Sequence, residues 1–151
     1  MSRITKRFEK LKADKRAGLV IYISAGDPNA EVGYEILKGL PAAGADLIEL
    51  GMPFTDPMAD GPSIQVAGQR ALKAGMTVDG TFDMVRRFRK ETGDDDTPIL
   101  LMGYYNLVYQ RGETAIDTRG HDNWGPDLER PFSIIDRRIC ASAAASRPCG
   151  H

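Results

Sequence analysis

The sequence predicts an α/β fold built on a parallel sheet, and three observations lead there. Over residues 1–112, strand-like and helix-like segments alternate, as right-handed crossover connections require. The strand candidates are short and apolar on both faces, as strands covered from two sides are. No GxGxxG or GxxxxGK[ST] run follows the first strand, which argues against a dinucleotide or P-loop domain. A closed (β/α)8 barrel and an open doubly wound sheet both satisfy this pattern.

The elements follow in order. Ser2 can cap a helix whose apolar residues Ile4, Phe8 and Leu11 recur at helical spacing. Gly18 breaks that pattern, and Leu19–Ala25 reads as a buried strand. Gly26-Asp27-Pro28-Asn29 is a turn. A helix is expected from Ala30, with Val32, Ile36, Leu37 and Leu40 on one side, ending near Pro41–Gly44. Asp46–Gly51 is the second strand. Met52–Gly61 holds two prolines, two aspartates and a glycine, and reads as a long loop. Ser63–Lys73 and Thr77–Thr92 are helices, the second with Val78, Phe82, Val85 and Phe88 on a shared face. An acidic turn over Gly93–Thr97 leads to a third strand, Ile99–Gly103, and Tyr104–Gln110 starts another helical segment.

The chemistry then changes. From Glu113 to His151 there is no lysine, while Arg119, Arg130, Arg137, Arg138 and Arg147 are present. Trp124, both histidines (His121, His151) and both cysteines (Cys140, Cys149) lie in this stretch, and no strand–helix unit can be read in it. Two domains of unequal character are therefore expected: residues 1–112 as an ordered α/β unit, and 113–151 as an irregular tail, either frameshifted or disordered.

Bulk properties exclude several functions. A net charge of −1 offers no basic surface for nucleic acid or an anionic membrane. No run approaches the ~20 apolar residues of a membrane span. The basic segment Met1–Arg16 lacks the apolar core of a signal peptide, so a cytoplasmic location is expected. The cysteines have no CxxC spacing and no ligand cluster, so no metal site is expected.

Glu49 is the residue with the most to explain. It sits in mid-strand, one residue from the strand's C-terminal end, where barrel enzymes carry catalytic groups. A carboxylate in a strand covered on both faces must be paired or protonated, and burial raises its pKa into the range of a proton donor. A buried Arg or Lys partner would explain it equally well. Asp56 and Asp60 share the following loop, where a turn or helix-capping role is the ordinary alternative.

The run Gly44–Gln65, GADLIELGMPFTDPMADGPSIQ, resembles the signature of tryptophan synthase alpha chains almost residue for residue. Tyr22-Ile-Ser-Ala-Gly-Asp27-Pro28 resembles the family's first strand and turn, and Leu100-Leu-Met-Gly-Tyr104-Tyr-Asn106 its third strand and loop. The resemblance implies a TIM (β/α)8 barrel, present here as about three βα units plus the tail, since such barrels take ~250 residues. It implies a carbon–carbon lyase of tryptophan biosynthesis that cleaves indole-3-glycerol phosphate to indole and glyceraldehyde 3-phosphate. Glu49 would then transfer the proton at the indole C3 carbon, and Asp60 would stabilise positive charge at the ring N–H. Tyr22, where the family commonly has Phe, would line the indole pocket with Met102 and Tyr104. Pro53, Asp56, Pro57 and Asn106 would face the beta subunit of an alpha2beta2 complex. The reaction needs no cofactor, and pyridoxal phosphate would belong to the beta partner alone.

Two readings of competence stay open: a lyase, or an inactive half-barrel that at most binds the beta subunit. No glycine-rich phosphate loop follows the third strand, so little or no turnover is expected of the chain by itself. Glu49, Asp60 and Tyr22 are expected to line one cavity.

Overall fold

A computed structural model of the chain describes residues 2–107. Helix α1 (Arg3–Ala13) opens on Ser2, whose hydroxyl accepts the Thr5 amide at 3.1 Å. It is followed by β1 (Val20–Ser24), α2 (Ala30–Gly39), β2 (Leu47–Gly51), α3 (Pro62–Lys73), α4 (Val78–Thr92) and β3 (Ile99–Met102). The three strands form one parallel sheet in the order β1-β2-β3. The expected tail, its cysteines and the continuation of the segment after Tyr104 lie outside the described residues.

Strand alternation divides the sheet into two faces. Ile48, Leu50, Ile99 and Leu101 point to the helices and are almost wholly buried. With Tyr34, Leu37, Ala71, Phe82, Val85 and Phe88 they make the core. The expected apolar face of α4 is therefore the face that packs. Caps close the other helices: Asn29 accepts the Val32 amide, Thr77 accepts the Gly80 amide, and Gly93, at φ 65°, ends α4 in the left-handed region.

Two expected apolar faces need correction. On α2, Gly33, Tyr34 and Leu37 turn inward, while Val32 and Ile36 are 45% and 44% exposed. Gly33 fixes this rotation: a Cβ there would stand 3.2 Å from the backbone of Gly26 and Asp27, so the helix meets the β1–α2 turn at that residue. On α1, Leu11 is buried but Phe8 is 52% exposed. The exposed apolar residues Phe8, Leu19, Val20, Val32 and Ile36 come from α1, the start of β1 with the residue before it, and α2. In a closed barrel the first strand and its helix are flanked on the far side by further βα units. Periodicity shows that a face is apolar, not which neighbour covers it.

Below the sheet, buried Asp46 joins three segments. Its carboxylate accepts from Arg16 at 2.6 and 2.8 Å and from the Leu19 amide at 2.8 Å, with Arg7 at 3.7 Å. These bonds hold the carboxyl down to a pKa of about 2, the Arg16 hydrogen bonds contributing most.

Candidate active site at the strand ends

The cross-strand register brings Tyr22, Glu49 and Leu100 side by side, and one step further Ser24, Gly51 and Met102. All lie on the face away from the helices, because Ile48 and Leu50 on the alternate positions fill the core. Glu49 is half-buried rather than enclosed, since no described element covers this face. The condition under which Glu49 would have to be paired or protonated, a strand covered on both faces, is not met within residues 2–107. Met102 is 47% exposed beside it.

Tyr22 finds the partner its hydroxyl needs in Ser24, 3.4 Å away. Its hydroxyl pKa is raised, first by burial and further by the negative charges of Asp60 and Glu49, against the lowering effect of the Ser24 bond. Tyr22 and Glu49 are register partners on adjacent strands, and Asp60 and Tyr104 follow in the loops after β2 and β3. A nearby hollow of about 260 Å³ takes in Tyr22, Ser24 and Ile64 but neither carboxylate. The expected common cavity is therefore not this hollow, and Glu49 and Asp60 lie outside it.

The Met52–Gly61 loop crosses the strand ends as a tied structure. Pro57–Asp60 is a β-turn closed by the Asp60 amide on the Pro57 carbonyl at 3.1 Å. The Ala59 amide, inside that turn, donates to the Tyr104 hydroxyl at 2.8 Å. The Tyr104 ring stacks on Phe54 with centroids 5.0 Å apart. Gln65, from the first turns of α3, donates to the carbonyls of Pro57 (3.2 Å) and Asp60 (2.9 Å). Behind the loop, Arg70 of α3 makes a two-pronged ion pair with Asp27 at 2.7 and 2.8 Å, joining α3 to the β1–α2 turn.

Neither loop aspartate caps α3: its N-cap is Gly61, without a side-chain bond. Asp56 instead accepts the Thr55 hydroxyl. Glu49 and Asp60 have no side-chain hydrogen bond or ion pair among the described residues, so the buried Arg or Lys that would have explained Glu49 is not found there. Of the residues expected at a partner surface, Asp56 and Asn106 are exposed, Pro57 is half-buried and Pro53 is buried. Tyr104, expected to line the pocket, has its hydroxyl committed to the loop.

Gln65 and Phe54 were missed as functional candidates. The signal available was a glutamine in the first turns of a helix entered through an Asp-Gly-Pro turn, which a backbone clamp explains better than a solvated surface does. Among the described residues no group of three or more His, Cys, Asp or Glu could hold a metal, and no helix is long and apolar enough to cross a membrane.

Comparison with known proteins agrees with this architecture. The family model described as tryptophan synthase alpha chain matches residues 8–120, running eight residues past the boundary expected at 112. The tryptophan synthase alpha chain of Caulobacter sp. (strain K31) is 64% identical over 110 residues, which are 73% of this chain and 39% of that protein. Among solved structures, tryptophan synthase subunit alpha from Legionella pneumophila str. Paris superposes with a TM-score of 0.77 at 43% identity, covering 85% of this chain and 47% of the other. A tryptophan synthase complex from Pyrococcus furiosus matches with a TM-score of 0.58 at 43% identity, over 64% of this chain and 38% of that one. The chain thus spans well under half the length of the curated relative it matches. Its parallel sheet, its helices and its residues 8–120 together make it a member of the tryptophan synthase alpha chain family, carrying an N-terminal portion of the TIM barrel.

Proposed function

We propose that this chain supplies the proton-transfer part of a lyase site for indole-3-glycerol phosphate. The observation that supports the reading is the pairing of Tyr22 with Glu49 toward the C-terminal ends of adjacent parallel strands, with Asp60 in the loop that follows the second. Glu49 delivers a proton to the indole C3 carbon. The bond from C3 to the glycerol side chain then breaks, its electron pair restores the aromatic ring, and the adjoining hydroxyl gives up its proton as the aldehyde forms. Glu49, deprotonated by the first step, is the base within reach for that second proton. The Asp60 carboxylate, free of other partners among the described residues, stabilises positive charge at the ring N–H. Tyr22 and Met102 provide apolar surface for the ring, and no cofactor takes part.

A second reading is favoured by the open edges and the uncovered inner face: a half-barrel without turnover that binds a tryptophan synthase beta subunit through Asp56, Pro57 and Asn106. Boundaries of 1–112 for the barrel portion and 113–151 for a tail of other origin belong with this reading, and the coding DNA read in all three frames tests them. Indole release from indole-3-glycerol phosphate separates the two functions. The rate is expected to be small, because binding energy from the phosphate normally supports the chemical step and no described residue grips one. Whatever turnover exists should vanish in Glu49→Gln and Asp60→Asn. Turnover that survives both substitutions overturns the lyase assignment. Sedimentation with a beta subunit tests the second reading, which fails if no complex forms.

A further inference from the structure

We propose that Gln65 is the positioning residue of Asp60. This deepens the lyase reading above and rests on it for its catalytic meaning, though not for its geometry. The Pro57–Asp60 turn presents Met58, 88% exposed, at its apex, so little apolar contact holds the turn in place. Its order comes from hydrogen bonds. The turn's own bond joins the Asp60 amide to the Pro57 carbonyl. The Gln65 amide group, half-buried behind it, donates one proton to the carbonyl at each end of that turn. From the opposite side the Tyr104 hydroxyl accepts the Ala59 amide, and Phe54 fixes the Tyr104 ring. The turn is thereby tied to α3 through Gln65 and to the segment after β3 through Tyr104.

The consequence is chemical. Asp60 has no side-chain partner of its own among the described residues, so nothing else aims its carboxylate. Gln65 has the required donors: its NH2 carries two protons, and both acceptors are main-chain carbonyls that a shorter amide would not reach. A carboxylate that must meet a ring N–H works only if its position is set before the substrate arrives.

The test is amide hydrogen exchange on the full 15N-labelled chain. Gln65→Glu keeps the size and the helix preference but removes both donors. Gln65→Lys changes the shape but restores a donor of similar reach. The clamp predicts that Ala59 and Asp60 amides exchange at least ~10-fold faster in Gln65→Glu, return toward the original rate in Gln65→Lys, and leave the Leu50 amide of β2 unchanged. Tyr104→Phe, which keeps the stacking ring, should speed Ala59 alone. If Gln65→Glu leaves Ala59 and Asp60 as protected as before, or speeds Leu50 equally, the proposal is wrong. Indole formation is read alongside: Gln65→Glu should lower kcat with little change in KM. An unsubstituted chain without turnover counts against the lyase reading, while the exchange rates still decide the clamp.

Discussion

The Tyr22 side chain lies so close over Gly51 that a Cβ at position 51 would stand 2.1 Å from the tyrosine oxygen and 2.7 Å from its ring carbon Cζ. Glycine at the end of β2 is what allows the phenol to lie across the strand end beside Glu49. Gly51→Ala should therefore displace the ring and cost ~1–3 kcal/mol, as overpacking does. In a Tyr22→Ala background the same substitution should cost only a few tenths of a kcal/mol, about the error expected for independent sites. Urea unfolding of the four chains in a double-mutant cycle measures the coupling. Equal costs in both backgrounds would mean that the ring is not where it is described.

Acid should loosen the bottom of the sheet through Asp46. Its folded pKa of about 2 lies below the ordinary value of 3.8. The sign follows from linkage: a depressed carboxyl stabilises the fold above pH 3.8, and that contribution is lost as pH falls toward 2. Its size is on the order of 1–2 kcal/mol, because Arg16 is half in solvent. Asp46→Asn should lower stability at neutral pH and flatten its fall between pH 4 and pH 2. Chemical unfolding at a series of pH values checks both effects, and an unchanged acid slope in the substituted chain would contradict the assignment.

Neighbouring α2 residues should respond very differently to truncation. Leu37 is fully buried, so Leu37→Ala should cost ~2–5 kcal/mol. Ile36 is 44% exposed, so Ile36→Ala should cost no more than ~1 kcal/mol. Thermal unfolding of the two variants distinguishes them, and comparable losses would show that the Ile36 flank is covered after all.

Much of this was legible in the sequence because it is local. Short continuous apolar runs mark the strands, period-3.6 runs mark the helices, and Ser2 caps the first helix as expected. The parallel order of β1, β2 and β3 was expected, and the register adds that Tyr22 stands beside Glu49. What stayed hidden depends on contacts that local periodicity does not encode. Val32 and Ile36 look like core residues until the rotation imposed by Gly33 is seen. The bond from the Ala59 amide to the Tyr104 hydroxyl joins residues 45 positions apart, and no local pattern announces it. Gln65 looks like an ordinary helix residue until the turn folds back onto it. The half-open environment of Glu49 is what three strands with an uncovered inner face would give.

The most direct test of the central claim is where indole itself binds. Indole titrated into the 15N-labelled chain should shift the amides of Tyr22, Glu49, Gly51, Asp60 and Met102, all at one end of one sheet face. The amides of Tyr34, Met84 and Arg87, on the helical side, should stay still. Replacing Glu49 by Gln should leave these shifts in place, since that residue acts on the proton and not on binding the ring. Shifts confined to the helical side, or no response at the strand ends, would contradict the site.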